Sequence, residues 1–140
     1  MSYDITLNDP VTKETINFDT PHQMTGGNYC VGGTTEAWLY ITYIYSKWYY
    51  LEGVFPDKNG ENWGIRTIYG MSGAESISIL ENAIKTLESV TEDLTEEEIE
   101  EYVNGGAGGY WTPTRINAIK PLYQLLAMAR MRLDGVWDGD

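Results

Sequence analysis

The spacing of apolar residues changes near residue 70 of this chain. Before that point apolar residues alternate with polar ones or form short β-branched and aromatic runs, a pattern typical of strands. After it they recur every three or four residues, as along one face of a helix. The pattern predicts an α+β fold, with an antiparallel sheet from the N-terminal half (residues 1–70, mostly strands) packed against C-terminal helices (residues 71–133, mostly helical) in a single domain of residues 1–140.

The N-terminus has the pattern of a β-hairpin. Tyr3, Ile5 and Leu7 alternate with polar residues, as do Ile16 and Phe18, and the stretch between them is rich in turn-forming residues. Shorter segments at residues 28–31 and 63–69 have the composition of two further strands.

The most apolar stretch of the chain, residues 36–45, predicts the central strand. Alternate residues such as Trp38, Tyr40 and Ile44 fall on one face and Leu39 and Ile41 on the other, and both faces are mostly apolar. A strand with two apolar faces is expected to be covered on both sides. A helix is the rival interpretation, because periodicity separates the two poorly over a short run, and a short helical turn is expected directly after it, to about residue 51.

Two sites in the second half have the Ser/Thr-x-x-Glu signature of a helix start. Ser72 with Glu75 predicts a long amphipathic helix, and Thr95 with Glu98 predicts a short acidic one. A last helix is expected to begin at residues 112–114, with Pro121 kinking or breaking it. Trp137, in the C-terminal tail, is expected to fold back onto the body of the protein.

The charge balance limits the classes of partner. Nine Lys and Arg residues against twenty-one Asp and Glu residues give a formal net charge of −12. Nucleic-acid binding depends on basic side chains that neutralise phosphates, so direct DNA or RNA binding is not expected. An acidic surface attracts basic surfaces of other proteins, although acidity also serves solubility alone.

Localisation and cofactors follow from what the sequence lacks. It has one cysteine and one histidine, neither a leader-like N-terminus nor an apolar run long enough for a membrane span, and no metal or nucleotide motif. We therefore expect a cytoplasmic protein that contacts no membrane and has no cofactor, metal site or catalytic residue. A nucleophilic pair of Cys30 and His22 is formally available, but a buried cysteine and a loop histidine are the simpler interpretation.

Four segments of the chain resemble a group of small acidic proteins from phages and prophages of gut bacteria. They are MSYDITLNDPVTKETI, GGNYCVGGTTEAWLYITYIYS, GIRTIYGMSGAES and NAIKPLYQLLAMARMRLDGVWDGD. The resemblance implies a provenance and no particular chemistry. If the protein is phage-encoded, its compartment is the host cytoplasm and its target a host protein.

The acidic run of residues 88–101 is the first candidate contact. Carboxylates spaced along a helix would resemble the phosphates of a nucleic acid and fit a basic groove, although such runs are commonly solvated helix faces. The predicted partner-contact residues are Glu92, Asp93, Glu96, Glu97, Glu100 and Glu101.

The segment from Arg66 to Gly73 is the second candidate site. We expect it to run from a strand into a helix start, where backbone N–H groups hold phosphates or carboxylates. The predicted ligand-binding residues are Arg66, Tyr69, Ser72 and Gly73, although the segment lacks the G-x-G-x-x-G and Walker patterns and a capped helix start accounts for the last two.

The leading functional hypothesis is a non-enzymatic protein that binds a basic host protein and inhibits a defence or nucleic-acid-handling enzyme. The alternative is a small-molecule or nucleotide-binding protein that uses the second candidate site, and the third is an enzyme of unknown type. The eleven tyrosines and five tryptophans would also form a surface for self-association if part of the aromatic set of residues 38–50 is exposed.

Overall fold

The computed structural model describes residues 2–18, 35–90, 94–103 and 113–140. In these ranges the strands are β1 (Ser2–Asn8), β2 (Trp38–Thr42) and β3 (Val136–Gly139). The helices are α1 (Ser46–Tyr49), α2 (Gly73–Ser89), α3 (Glu96–Val103) and α4 (Arg115–Met131), and 3-10 turns cover Tyr43–Tyr45 and Gly64–Ile68. An antiparallel sheet combined with C-terminal helices confirms the predicted α+β fold class.

The centre of the sheet is β1, not the aromatic stretch. The strand order is β2-β1-β3, and both neighbours run antiparallel to β1, so that Ile5 lies opposite Leu39 on one side and Gly139 on the other. Tyr3, Ile5 and Leu7 are buried while the residues between them are half-exposed. The period of two therefore places one face of β1 against the helices and the other outward.

The prediction of a central strand over residues 36–45 is wrong in position and in extent. β2 ends at Thr42, where the chain turns into a 3-10 helix and then into α1, which confirms the expected helical turn. Trp38 and Tyr40 remain 40% and 43% exposed. The apolar character of both faces predicts burial on both, but no helix of the described ranges covers the outer face of this sheet.

The third strand comes from the C-terminal tail. Leu7 of β1 pairs with Trp137 of β3, and the indole N–H of Trp137 donates to the Ser76 hydroxyl at 2.7 Å. Trp137 is 1% exposed. Its predicted return to the body is thus confirmed, while its position inside the sheet was not anticipated.

Residues 63–69 form a 3-10 helix rather than the predicted strand. Gly64 has a φ of 58°, which favours glycine and is incompatible with an extended strand. The Asn62 side chain accepts a hydrogen bond from the Gly64 N–H at 2.9 Å and fixes this turn. Ile65 and Ile68 are nevertheless buried, so their β-branched character reflects the core and not a strand.

Helices α2 and α4 supply most of the helical side of the core. Leu80, Ala83, Ile84 and Leu87 of α2 are buried on one face, as expected of the predicted amphipathic helix. α4 is buried over most of its circumference and continues through Pro121, so of the predicted kink or break the break is wrong. Its N-cap is Thr114, whose hydroxyl accepts from the Asn117 N–H at 3.1 Å; Thr114 lies within the predicted start at residues 112–114.

The predicted N-terminal hairpin is present in part. The Asp9 carboxylate accepts from the backbone N–H groups of Val11 and Thr12 and shapes the turn. The second arm pairs through isolated bridges, such as Asn8 with Thr15, instead of forming a regular strand. The strand predicted at residues 28–31 lies outside the described residues.

Candidate functional site

The acidic helix α3 presents some of its carboxylates to solvent and buries one. Glu96 and Glu100, one helical turn apart, are both exposed. Glu98, between them, is only 1% exposed. Of the other predicted contact residues, Glu97 and Glu101 belong to α3 but their side chains lie outside the description, as do Glu92 and Asp93 altogether.

Glu98 is buried because it joins two helix starts. Its Oε1 accepts from the Thr95 backbone N–H at 3.5 Å, and its own N–H donates to the Thr95 hydroxyl oxygen at 3.1 Å; these two bonds form a capping box. The Thr95 hydroxyl also donates to Oε1, at 3.3 Å. The Oε2 of Glu98 accepts at 3.2 Å from the N–H of Arg115, the first residue of α4. One carboxylate therefore satisfies the first N–H group of α4 while it caps α3, and its role is structural.

The basic residues are largely engaged within the chain, and all nine of them lie in the described ranges. Arg115 and Lys120 are buried, and Lys85 is exposed on α2. The other contacts are Arg130 with Glu81, Arg132 with Asp9 and Asp134, Lys13 and Lys58 with backbone oxygens, Lys47 with the Trp48 ring, and Arg66 with tyrosines. These cations form no exposed basic cluster for a phosphate backbone.

Most acidic side chains in the described ranges are exposed, by contrast. Two carboxylates have a lowered pKa because they accept hydrogen bonds. Backbone N–H groups and Arg132 hold the pKa of Asp9 below its usual value, and Arg132 also lowers the pKa of Asp134. The surface is therefore predominantly negative, and its negative charge is compensated within the chain at few places.

Arg66, the first residue of the predicted ligand site, lies in a nest of tyrosines. Its guanidinium carbon is 4.7 Å from the Tyr3 ring centroid and 5.4 Å from that of Tyr43, within cation–π range. Its N–H groups donate to the Tyr43 and Tyr50 hydroxyls and, from Nε, to the backbone oxygen of Asp140 at 2.7 Å. Arg66 thereby connects the end of the sheet to the 3-10 turn.

Tyr69 joins the same cluster. Its hydroxyl donates to the Asp140 backbone oxygen at 3.2 Å, and its ring lies so close to Gly139 that a Cβ there would fall 2.6 Å from the phenol. Burial raises the pKa of Tyr69, which keeps the phenol protonated and able to donate. Arg66 and Tyr69 therefore donate to the same acceptor, the backbone oxygen of Asp140, which belongs to the chain itself.

Ser72 and Gly73 make other hydrogen bonds, at the start of α2, where the backbone donors are already bonded. The Gly73 N–H donates to Gly135 O at 2.7 Å and the Ala74 N–H to Leu133 O at 2.9 Å. The next two N–H groups of the helix donate to the side chain and backbone oxygens of Ser72. All four initial N–H groups are thus satisfied within the chain, so this helix start offers no backbone donor to an anion.

A shallow cleft of about 290 Å³ opens beside Arg66, between two exposed rings. Trp63 and Tyr50 are 42% and 40% exposed. Glu61, Asn62 and Arg66 supply the polar lining. Sequence reasoning missed Trp63 as a wall of this site because residues 63–69 were interpreted as a strand.

The aromatic residues of positions 38–50 divide between core and surface. Tyr45, Trp48 and Tyr49 are buried, whereas Trp38 and Tyr40 face outward from β2. The sequence identified the set, but the sheet order decides which members are exposed.

The described residues contain no group of three or more His, Cys, Asp or Glu side chains arranged to hold a metal ion. The formally available pair of His22 and Cys30 lies outside the described ranges. No helix within the described ranges has the length and apolarity that a bilayer crossing requires.

Comparison of the chain with protein-family models, with curated proteins and with solved structures found no match.

Proposed function

We propose that the protein is a non-enzymatic binding protein whose partner presents a basic surface. The observation that carries the proposal is the distribution of charge: at a net charge of −12, eight of the nine basic side chains are buried or engaged within the chain, while most described carboxylates face solvent. Such a surface attracts a positively charged protein at a distance and accelerates its association.

The proposed contact is the acidic face of α3. Glu96 and Glu100 project one turn apart with no basic residue of the chain paired to them in the described ranges. Glu92, Asp93, Glu97 and Glu101 extend the same acidic run along the sequence. A basic groove that normally holds a nucleic acid would accommodate these carboxylates.

The resemblance to phage proteins supports a host target in the cytoplasm, such as a defence or nucleic-acid-handling enzyme. Enzymes that bind nucleic acids carry the basic grooves that this charge distribution complements. Inhibition would then result from occupying the groove in place of DNA or RNA.

A charge-reversal experiment tests the proposal. Affinity capture from host lysate at low salt is expected to recover basic proteins, and raising the salt should release them. Glu96→Lys with Glu100→Lys should abolish recovery. Glu52→Lys with Asp57→Lys, at two exposed positions of another loop, changes the net charge equally and should leave recovery largely intact. Equal losses in both double variants would contradict α3 as the contact, and recovery unaffected by salt would contradict the charge mechanism itself.

The cleft beside Arg66 supports a second candidate, a small-molecule binding protein. Two exposed rings with a guanidinium and a carboxylate between them suit a planar or ring-shaped polar ligand. In a thermal-shift screen of nucleotides, sugars and amino acids, any stabilisation should disappear in Trp63→Ala and persist in Trp38→Ala. Trp63 is the better test position, because replacing Arg66 would also remove its contacts with Tyr3 and Tyr43.

A further inference from the structure

The outward face of the sheet combines exposed aromatic rings with carboxylates in a regular arrangement. Trp38 lies opposite Thr6 on β1, and Thr6 lies opposite Asp138 on β3. The next row along the sheet starts at Tyr40, which lies opposite Asp4. Each row therefore leads from an aromatic residue on the β2 side to a carboxylate on β1 or β3.

The register sets the dimensions of this surface. Neighbouring strands are about 4.8 Å apart, so Asp4 is one strand from Tyr40 and Asp138 is two strands from Trp38. The two rows are separated by two residues along the strands, about 6.8 Å. Alternate side chains of any extended peptide repeat at the same distance.

An aromatic ring next to a carboxylate is suited to a Lys or Arg side chain. The ring attracts the cation through its quadrupole, and the carboxylate pairs with the charged end while the aliphatic stem covers apolar surface. The chain itself contains cation–ring contacts of this kind: Lys47 lies over Trp48, and Arg66 lies over Tyr3 and Tyr43.

We propose that this outward sheet face, formed by Trp38, Tyr40, Asp4 and Asp138, binds an extended segment of another protein that has Lys or Arg at alternate positions. The proposal rests on the proposed function for the class of partner and assigns, besides the acidic face of α3, a second contact surface and the sequence pattern that this surface recognises. Charge complementarity selects this occupant, because a second copy of a chain with a net charge of −12 would be repelled from an acidic face.

Two labelled peptides of identical composition test the spacing. The alternating peptide has two arginines separated by one threonine within a run of threonines, and the other peptide has its two arginines separated by two threonines; binding is measured by fluorescence anisotropy with the full chain. Side chains two positions apart in an extended peptide point to the same side, and side chains three positions apart point to opposite sides. Only the alternating peptide can therefore present both arginines to the two rows, and it should bind about fivefold more tightly or better. Equal affinities would mean that only net charge is recognised and would overturn the proposal.

Single substitutions test the surface. Trp38→Ala should weaken the alternating peptide about fivefold, in the range expected for a partly desolvated cation–π contact, and Trp38→Phe should restore part of the loss. Trp63→Ala removes a ring of similar exposure, 42% against 40%, from a different surface and should leave the affinity unchanged. Circular dichroism of each variant verifies that the fold is retained. A loss no larger in Trp38→Ala than in Trp63→Ala refutes the assignment.

The outcomes also separate this inference from the proposed function. If basic peptides bind and Glu96→Lys with Glu100→Lys removes binding while Trp38→Ala does not, the charge proposal stands and the sheet-face proposal fails. If neither peptide binds even at low salt, the sheet-face proposal fails, while the proposed function is decided by the salt-dependent capture from host lysate. If sedimentation shows a dimer that Trp38→Ala dissociates, the face is a self-association surface and the sheet-face proposal is overturned.

Discussion

Replacing Glu98 by alanine should destabilise the protein far more than replacing Glu96, although both belong to the same acidic run. Glu98 is 1% exposed and accepts hydrogen bonds from Thr95 and from the Arg115 N–H, whereas Glu96 is exposed. The substitution Glu98→Ala removes both interactions at once. It leaves the first N–H group of α4 buried without an acceptor.

The magnitude follows from the two losses. Losing a helix cap costs about 1 kcal/mol, with a range of roughly 0.5–2. A buried N–H without a partner costs about 1–3 kcal/mol. The sum is about 2–4 kcal/mol, which in a domain of this size lowers the melting temperature by roughly 6–12 °C. Glu96→Ala should change stability by no more than about 0.5 kcal/mol, as exposed substitutions commonly do.

Urea unfolding followed by tryptophan fluorescence measures the difference. We expect a lower midpoint for Glu98→Ala at an unchanged m-value, because the surface exposed on unfolding stays the same. Glu98→Gln should recover part of the loss, since a glutamine oxygen can still accept. If Glu98→Ala and Glu96→Ala unfold at the same urea concentration, the assignment of Glu98 as a joint cap of α3 and α4 is incorrect.

Two further predictions concern the helix packing and the alkaline limit of stability. Gly73→Ala should lower the free energy of unfolding by about 1–3 kcal/mol, because a Cβ there would lie 2.6 Å from the backbone oxygen of Arg132, the C-cap residue of α4. An unchanged urea midpoint would contradict this close approach. Burial and the 2.6 Å hydrogen bond to Glu88 raise the pKa of Tyr123 to about 12, above the value of about 10 for an unfolded tyrosine. Tyr123 therefore contributes stability that is fully present below pH about 10 and is lost as pH rises through about 12. The difference in phenolate absorbance between wild type and Tyr123→Phe reports this titration, and Glu88→Gln should move it to lower pH; a Tyr123 titration at the unfolded value would refute the assignment.

The candidate sites were predicted from the sequence less completely than the elements. Glu96 and Glu100 are exposed as their acidic context suggested, but the acidic composition of the run does not distinguish Glu98, which is buried. The Thr95 and Glu98 spacing did indicate a capping box, so a signal for the structural role of Glu98 was present. Glu98 also accepts a hydrogen bond from the Arg115 N–H. That contact depends on where α4 starts in space, so the local sequence pattern does not indicate it.

The Arg66 to Gly73 segment illustrates the same limit. Sequence reasoning placed four residues in one ligand site, whereas the structure separates Arg66 and Tyr69 from the start of α2. The acceptors that occupy that helix start come from the C-terminal turn around Leu133 and Gly135. The sequence around a helix start does not show that its N–H groups are already bonded when the acceptors come from a segment distant along the chain.

By itself, the sequence determined the α+β class, the capped starts of α2, α3 and α4, and the negative charge of the surface. These features depend on local periodicity, on residues three positions apart, or on composition, and local backbone geometry is sufficient to express them. Only the tertiary structure decided that β1 is central, that Trp137 completes the sheet, and that Trp38 and Tyr40 face solvent. The physical reason is that strand order and burial arise from pairing between the two ends of the chain, and an apolar residue has the same local pattern whether or not a distant segment covers it.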